Sequence, residues 1–480
     1  MQQEQKILRR MAVFLFVGYL TAVVLFYFLA GEQLHLRESR GNISLLPAES
    51  GTIELTAGSV VEQQFITTVQ RLEQVSVQWG TYYRQNAGTV VMELWDLQSN
   101  HLLLSQTFDA ASIAEGGLTT LAAEKPMEGL YHLPLALRIT SPDSQPGSAL
   151  SPLMNLQGKL EEAGGLFFNG SQTEGTLCFS VRGTDYIWTG LHYWEFAVSG
   201  LGLLLLFLAV IWYRVQKGER SYVINAIIAV QKYRFLIRQL VSRDFKTKYK
   251  RSILGMFWSF LNPLLTMCVQ YFVFSTIFKS DIPNYAVYLL IGIVTFNFFS
   301  EACGMALSSI VGNAPLITKV YMPKYIYPLT RVISSVINLS ISLIPLLIVS
   351  ALTGVSFNKS IILSLYFLCC VIIFSLGLGL LLSTSMVFFR DTQFLWGVLS
   401  MIWMYATPIF YPESILPDNF KFILKVNPLY HFLKNIRICI LDGISPEPVV
   451  YVQCLLMALL ALIVGSLVFR KNQDRFVLYL

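Results

Sequence analysis

The chain has 480 residues, 54% of them hydrophobic, 13% aromatic and only 13% charged, with a net charge of +6 and a mean hydropathy of +0.56. Soluble domains carry roughly 25% charged residues, so a single soluble core is excluded, as are disorder, collagen and a disulfide scaffold. The apolar residues gather into runs of spanning length, which makes this a membrane protein. Of the seven cysteines, Cys178, Cys268, Cys303, Cys369, Cys370, Cys439 and Cys454, only Cys178 lies in the long polar region, so no disulfide framework is expected. The five histidines are scattered and no Cys/His spacing suits a metal, so no metal ligands are assigned.

Residues 1–30 read as a short basic N-terminus followed by an anchor, Met11 to Ala30, about 20 residues long and suited to a ~30 Å hydrocarbon core. The bulky Phe28 near its end does not fit a signal cleavage site, so the anchor is expected to stay uncleaved. Residues 31–192 hold eight basic against seventeen acidic residues. A second anchor follows within 193–213, its apolar run spanning Glu195 to Tyr213. Residues 214–251 then carry eleven basic against two acidic residues. That contrast is the positive-inside signature, placing 31–192 outside the plasma membrane and 214–252 in the cytoplasm.

Within 31–192 the pattern turns to period-2 alternation, Val75-x-Val77-x-Trp79 and Val90-x-Met92-x-Leu94, broken by Gly, Asn and Pro. These are half-buried strands and predict a β-sandwich or jelly roll, with 106–123 the one stretch resembling an amphipathic helix. Trp79, Tyr82, Tyr83 and Trp95 are candidate glycan contacts, because sugars bind flat apolar faces ringed by hydrogen-bonding groups. The competing reading makes them ordinary strand residues.

Arg234 to Arg251 places Phe235, Leu236, Leu240, Val241, Phe245 and Tyr249 near helical spacing among seven cations, which predicts a helix lying flat at the cytoplasmic interface. Residues 253–480 then alternate apolar runs with short loops: about 253–278, 285–311, 332–352, 361–388, 394–410 and 449–469. With the two anchors this predicts eight spans and both termini in the cytoplasm. The loop 312–331 is basic and the loop 411–448 is charge-balanced, as inner and outer loops should be. Pro315, Pro323 and Pro328 leave room for one brief helix around Leu316 to Tyr321. Pro408, Pro412 and Pro417 stop the fifth core run, and 420–426 and 429–441 read as interfacial or half-membrane helices. Glu301 is the clearest charge inside a span and needs an interior partner, for which Arg331, Ser300 and Ser308 are candidates.

Four segments, RDFKTKYKRSILGMFWSFLNPLL at 243–265, NAPLITKVYMPKYIYPLTRV at 313–332, FFRDTQFLWGVLSMIWMYATPIFYP at 388–412 and NPLYHFLKNIR at 427–437, resemble the permease subunits of type-2 ABC exporters, in particular the branch exporting O-antigen and teichoic-acid polysaccharides. The likeness covers residues 230–480, and the first anchor and polar domain lie outside it. It implies a helical polytopic membrane protein with a six-helix core, two extra spans and an inserted β-domain. It also implies a homodimer docked on two copies of a separate ATPase subunit that carries Mg-ATP, so that this chain binds no cofactor. The cargo would be a polysaccharide, expected to be lipid-linked, moved outward across the bacterial plasma membrane; membrane lipid is a contact and nucleic acid is not. Coupling to the ATPase falls to Arg243, Asp244, Leu316, Lys319, Tyr321, Met322, Pro323, Lys324, Arg390 and Asp391. The channel candidates are Phe257, Trp258, Tyr271, Phe272, Phe296, Phe299, Glu301, Trp403 and Tyr405, and the outer gate Pro408, Phe410, Tyr411, Pro412, Asn427 and Pro428.

No GxxxxGK[ST], GxSxG or HExxH motif occurs, so ATP is not bound by a P-loop here and no catalytic set is assigned. Three other readings stay open: an exporter of drugs, lipids or peptides, a membrane glycosyltransferase or polymerase using Asp281, Glu413, Asp418 or Asp442, and a glycan sensor.

Overall fold

The computed structural model describes residues 2–41, 50–52, 54–156, 164–217, 222–250, 254–277, 282–319, 322–417, 419 and 421–479. They form two compact units, one of Met1–Leu34 with His192–Leu480 and the other of His35–Leu191.

The second unit is all-β, with strands β1 (Leu36–Gly41), β2 (Ser50–Thr52), β3 (Val60–Ile66), β4 (Arg71–Gly80), β5 (Thr89–Asp96), β6 (His101–Asp109), β7 (Leu118–Glu128), β8 (Pro134–Thr140), β9 (Ser151–Asn155), β10 (Leu166–Phe168), β11 (Ser171–Thr173), β12 (Thr176–Leu177) and β13 (Phe179–Tyr186), then the single turn α2 (Trp188–Leu191). Antiparallel pairing links β1-β13-β4-β7 in one sheet and β3-β8-β5-β6 in the other. This is the strand order of a jelly roll, whose eight strands form two Greek keys; β9 to β12 are inserted between its last two strands. Alternation does what the sequence predicts: Val75, Val77 and Trp79 of one sheet and Val90, Met92 and Leu94 of the other are buried in a shared core. Phe65 and Phe179 meet across it, ring centroids 5.2 Å apart. The helix expected at 106–123 is instead the end of β6, a 3-10 turn at Ala110–Ser112 capped by Asp109, and the start of β7. Its apolar residues serve strand pairing, which a helical period cannot supply.

The first unit is helical: α1 (Gln2–Ala30), α3 (Tyr193–Gln216), α4 (Tyr222–Lys232), α5 (Arg234–Tyr249), α6 (Phe257–Tyr271), α7 (Tyr285–Leu307), α8 (Ala314–Ile317), α9 (Ile326–Leu352), α10 (Ser360–Phe388), α11 (Thr392–Ala406), α12 (Lys421–Val426), α13 (Pro428–Arg437), α14 (Pro448–Asn472) and α15 (Phe476–Tyr479). Seven helices among the described residues are long and apolar enough to cross a membrane, rather than the eight expected. The one absent from that set is 394–410, where α11 has only 15 residues, about 22 Å at 1.5 Å per residue; the residues after it complete the run, the Phe410 and Tyr411 carbonyls accepting from Tyr285 and Tyr288 at the start of α7. Thr407 is already extended there, as a residue preceding a proline tends to be.

α7 is the central helix, packed by α6, α9, α10 and α13. α10 and α14 approach closely because Gly377 faces Gly465, where an added Cβ would run into the opposing backbone; small residues permit such contact between apolar helices. α1 and α3 are tied by hydroxyls, Tyr19 donating to the Ala197 carbonyl (2.8 Å) and Tyr193 to the Val23 carbonyl (2.7 Å).

Candidate transport path and its flanking polar clusters

Near the middle of α7 and α9, where lipid would penalise unpaired polar groups, the helices α6, α7 and α9 enclose a polar pocket of about 200 Å³. Its walls include Asn262 of α6, Asn297 of α7, Ser335, Asn338 and Ser342 of α9, and the exposed indole of Trp258. Ser342 donates to the Ser259 carbonyl (3.1 Å) and Asn338 to Glu301 Oε1 (2.6 Å). Asn262 and Asn297 are both exposed at the opening, and their carboxamides make no hydrogen bond among the described residues.

One end of this pocket is closed by an ion pair, Lys248 Nζ to Glu301 Oε1 at 2.8 Å. The same two residues line a second cavity of about 680 Å³ with Arg243, Asp244, Asn313 and Arg331. There Asp244 is buried and receives Arg331 (3.0 Å) and Arg243 (3.3 Å) on one carboxylate oxygen, while Arg243 also donates to Asn313 Oδ1 (3.1 Å) and Asn313 to the Ser309 carbonyl (2.7 Å). Thus α5 and the start of α9 meet on one carboxylate, and Arg243 ties them to the turn after α7. Glu301 finds its partners in Lys248 and Asn338, not in Arg331, Ser300 or Ser308. Sequence spacing along one helix could not show that α5 delivers a lysine to it.

Of the other predicted coupling residues, Lys324 donates to the Gln473 carbonyl (2.6 Å) and sits 5.8 Å from the Phe476 ring. Burial pulls its ammonium below the usual lysine range, with Asp474 acting the other way. Leu316 and Met322 pack with Leu240, Ile317, Tyr327 and Phe476, Pro323 is half-buried and Lys319 is exposed. The brief helix lies earlier than expected, as a 3-10 turn Val311–Asn313 followed by α8, because Pro315 favours a helix start. Tyr321 lies outside the described residues. Arg390 and Asp391 are exposed on the turn between α10 and α11, with no ion pair between them among the described residues.

At the end where α7 begins, Arg437 is buried and its guanidinium donates to the carbonyls of Pro408 (2.7 Å), Ile409 (2.8 Å) and Tyr288 (3.2 Å), lying 3.4 Å from the Tyr288 ring centroid. Tyr285 donates to the Phe410 carbonyl (2.6 Å), Tyr288 to that of Tyr411 (2.9 Å), and Tyr411 to that of Tyr405. Asn427 caps α13 through the Leu429 N–H (3.1 Å) and accepts from the Trp403 indole (2.8 Å). Pro412 lines a neighbouring cavity of about 360 Å³ with Glu413 and Lys434, and Pro428 opens α13. The predicted gate segment is therefore pinned by Tyr285, Tyr288 and Arg437, which the sequence reading did not select. An arginine ending a strongly amphipathic helix, downstream of a proline-rich turn, was the available signal.

The channel candidates divide. Phe257, Trp258, Tyr271, Phe272 and Tyr405 are exposed, but Phe296 and Phe299 are core residues. Phe299 packs on Phe374, Trp396 and Trp403, with centroids 5.2 to 5.9 Å apart. Trp403 serves this cluster and Asn427, so these three hold helices together instead of lining a path. In the β-unit, Trp79 is fully buried, its indole donating to Thr119 (2.6 Å), so it presents no face to a glycan. Tyr82 and Tyr83 follow β4 in one sheet while Trp95 lies on β5 in the other, under Arg138 at 5.0 Å. The four aromatics do not share a surface. Glu115 holds the tyrosine turn, accepting from the Thr81 hydroxyl and N–H (both 2.6 Å) and the Tyr83 N–H (3.4 Å). The Thr81 bonds keep its carboxyl below the usual range. Burial pushes the Cys178 thiol up to about 11.

Spanning helices, short helices at α12 and α13 and an ion-paired polar interior define a polytopic membrane protein. Residues 236–441 match the ABC-2 type transporter family, and the chain carries that family's membrane domain. It is similar to the O-antigen export system permease protein RfbA of Klebsiella pneumoniae, 28% identical over 243 residues, 50% of this chain and 93% of the relative. RfbA of Myxococcus xanthus is 27% identical over 255 residues, covering 53% and 98%. The polysialic acid transport protein KpsM of Escherichia coli is 24% identical over 246 residues, covering 50% and 93%. The jelly roll precedes the residues that the family matches.

Proposed function

We propose that this chain is the permease subunit of an ABC exporter that moves a polysaccharide outward across the bacterial plasma membrane. The observation that carries this reading is the match of 236–441 to the ABC-2 type transporter family, with relatives named for O-antigen export and polysialic acid transport. Two copies enclose the path, and two copies of a separate ATPase subunit bind Mg-ATP, since this chain has no P-loop. The chain performs no bond chemistry, holds no cofactor of its own, and takes its polymer in lipid-linked form.

The basic stretch 214–252 faces the cytoplasm by the positive-inside rule, which puts both termini inside and 31–192 outside. The surface formed by α5, α8 and the start of α9 then faces the ATPase. A push there reaches α9 through Arg331 and α7 through Lys248 and Glu301. At the far side α12 and α13 close the exit, held by Arg437.

Purifying the tagged chain in mild detergent and identifying what accompanies it tests the reading. An equimolar Walker-motif subunit, whose ATP hydrolysis falls when Lys319 and Lys324 are replaced by alanine, is expected. Absence of any such subunit, although one is expressed in the same cells, refutes it.

A further inference from the structure

A carboxamide at mid-span is costly in lipid unless something polar meets it. Asn262 and Asn297 meet no described protein group, yet both open into the pocket between α6, α7 and α9. Their four donor hydrogens and the acceptor pairs on two carbonyl oxygens are presented together. Asn338 stands beside them, and the exposed Trp258 indole supplies an apolar face. The charges in the wall, Lys248 and Glu301, neutralise each other at 2.8 Å, so the pocket offers no net charge to attract an anion.

We infer that this pocket is a binding subsite for one uncharged sugar ring of the transported polymer, with Lys248 and Glu301 as the latch between it and the cavity beside Asp244. This rests on the polysaccharide reading above. Carboxamides match vicinal hydroxyls, which donate and accept at once, and an indole face takes the apolar side of a pyranose. The volume of about 200 Å³ holds a single ring, so a polymer is held one residue at a time. Because Lys248 and Glu301 line both cavities, separating them joins the two into one polar passage. The latch lysine belongs to α5, the helix that carries Asp244, so displacement of α5 opens the subsite.

The test uses the full chain in its own host. The Asn262→Leu/Asn297→Leu double variant keeps side-chain size and removes the polar groups. Surface polymer is expected to fall about tenfold, the loss of one or two hydrogen bonds, at an unchanged level of chain in the membrane. The second measurement is the labelling rate of N297C by a small membrane-permeant methanethiosulfonate. Labelling is expected to be several-fold slower in cells making polymer than in cells whose first glycosyltransferase is deleted. Equal labelling in both, normal export by the double variant, or oxidative cross-linking of N297C to a second copy would overturn the subsite. Deleting the whole chain separates the two claims. If surface polymer survives deletion, the polysaccharide reading itself has failed; if deletion abolishes it and the double variant exports normally, only the subsite has.

Discussion

Two polar sites in the helical unit make opposite use of their hydrogen-bonding groups. Around Arg437, both guanidinium NH₂ groups end on carbonyl oxygens within 3.2 Å, with the Tyr288 ring stacked below. In the α6, α7 and α9 pocket, Asn262 and Asn297 spend nothing on the protein. The first site is closed and holds the turn at Pro408–Tyr411 in place. The second is open, its two carboxamides exposed, and the proposed subsite gives them a polar visitor. Satisfaction of hydrogen bonds thus separates structural polarity from functional polarity more sharply than residue type does.

The largest expected effect is at the closed site. Arg437→Leu removes the one side chain that bonds the Pro408, Ile409 and Tyr288 carbonyls together and should cost about 3–5 kcal/mol, seen as a lower thermal midpoint of the purified protein and loss of chain from the membrane. Wild-type stability in this variant would mean the knot is ornamental. Next, Asp244→Asn removes the charge joining Arg243 and Arg331, costing about 2 kcal/mol, and should uncouple ATP hydrolysis from export while the complex still assembles. Hydrolysis and export falling in proportion would contradict that. Asn427→Ala removes a helix cap and the Trp403 acceptor, worth about 1–2 kcal/mol; hydrogen exchange should speed up in α13 and leave the jelly roll unchanged.

The smallest effect lies in the jelly roll. Glu115 has a folded-state pKa below its unfolded value, so its contribution is present above the unfolded carboxylate range and is lost as pH falls through the folded one. Wild type should therefore exceed Glu115→Gln in thermal stability at pH 7, with the difference closing as pH falls below the usual carboxylate range. A difference independent of pH would assign the effect to packing. Cys178, buried with its thiol pushed to about 11, should resist iodoacetamide at pH 8 until the jelly roll is unfolded by urea.

Much of the fold was legible because burial imposes a period. β4 and β5 alternate since one face of each is core, and the long apolar runs are long because lipid demands it. The run at 394–410 is a helix only as far as Ala406, because Pro408 and the extended Thr407 stop it, a break that hydropathy alone does not register. At the sites, sequence flagged charge and aromaticity: charge singled out Asp244 and Glu301, which are ion-paired, whereas the aromatics Trp79, Phe296 and Phe299 are buried in cores. Aromatic residues fill cores as readily as they line paths. The partners that decide function, Lys248 for Glu301 and Arg331 for Asp244, come from helices 53 and 87 residues away in the chain, which no local spacing reveals.

The most direct test of the central claim is the surface polysaccharide of the host after deletion of this chain. The polymer should vanish from the surface, accumulate inside the cell and return with the wild-type chain. An undiminished surface polymer, with no internal accumulation, would contradict the exporter reading.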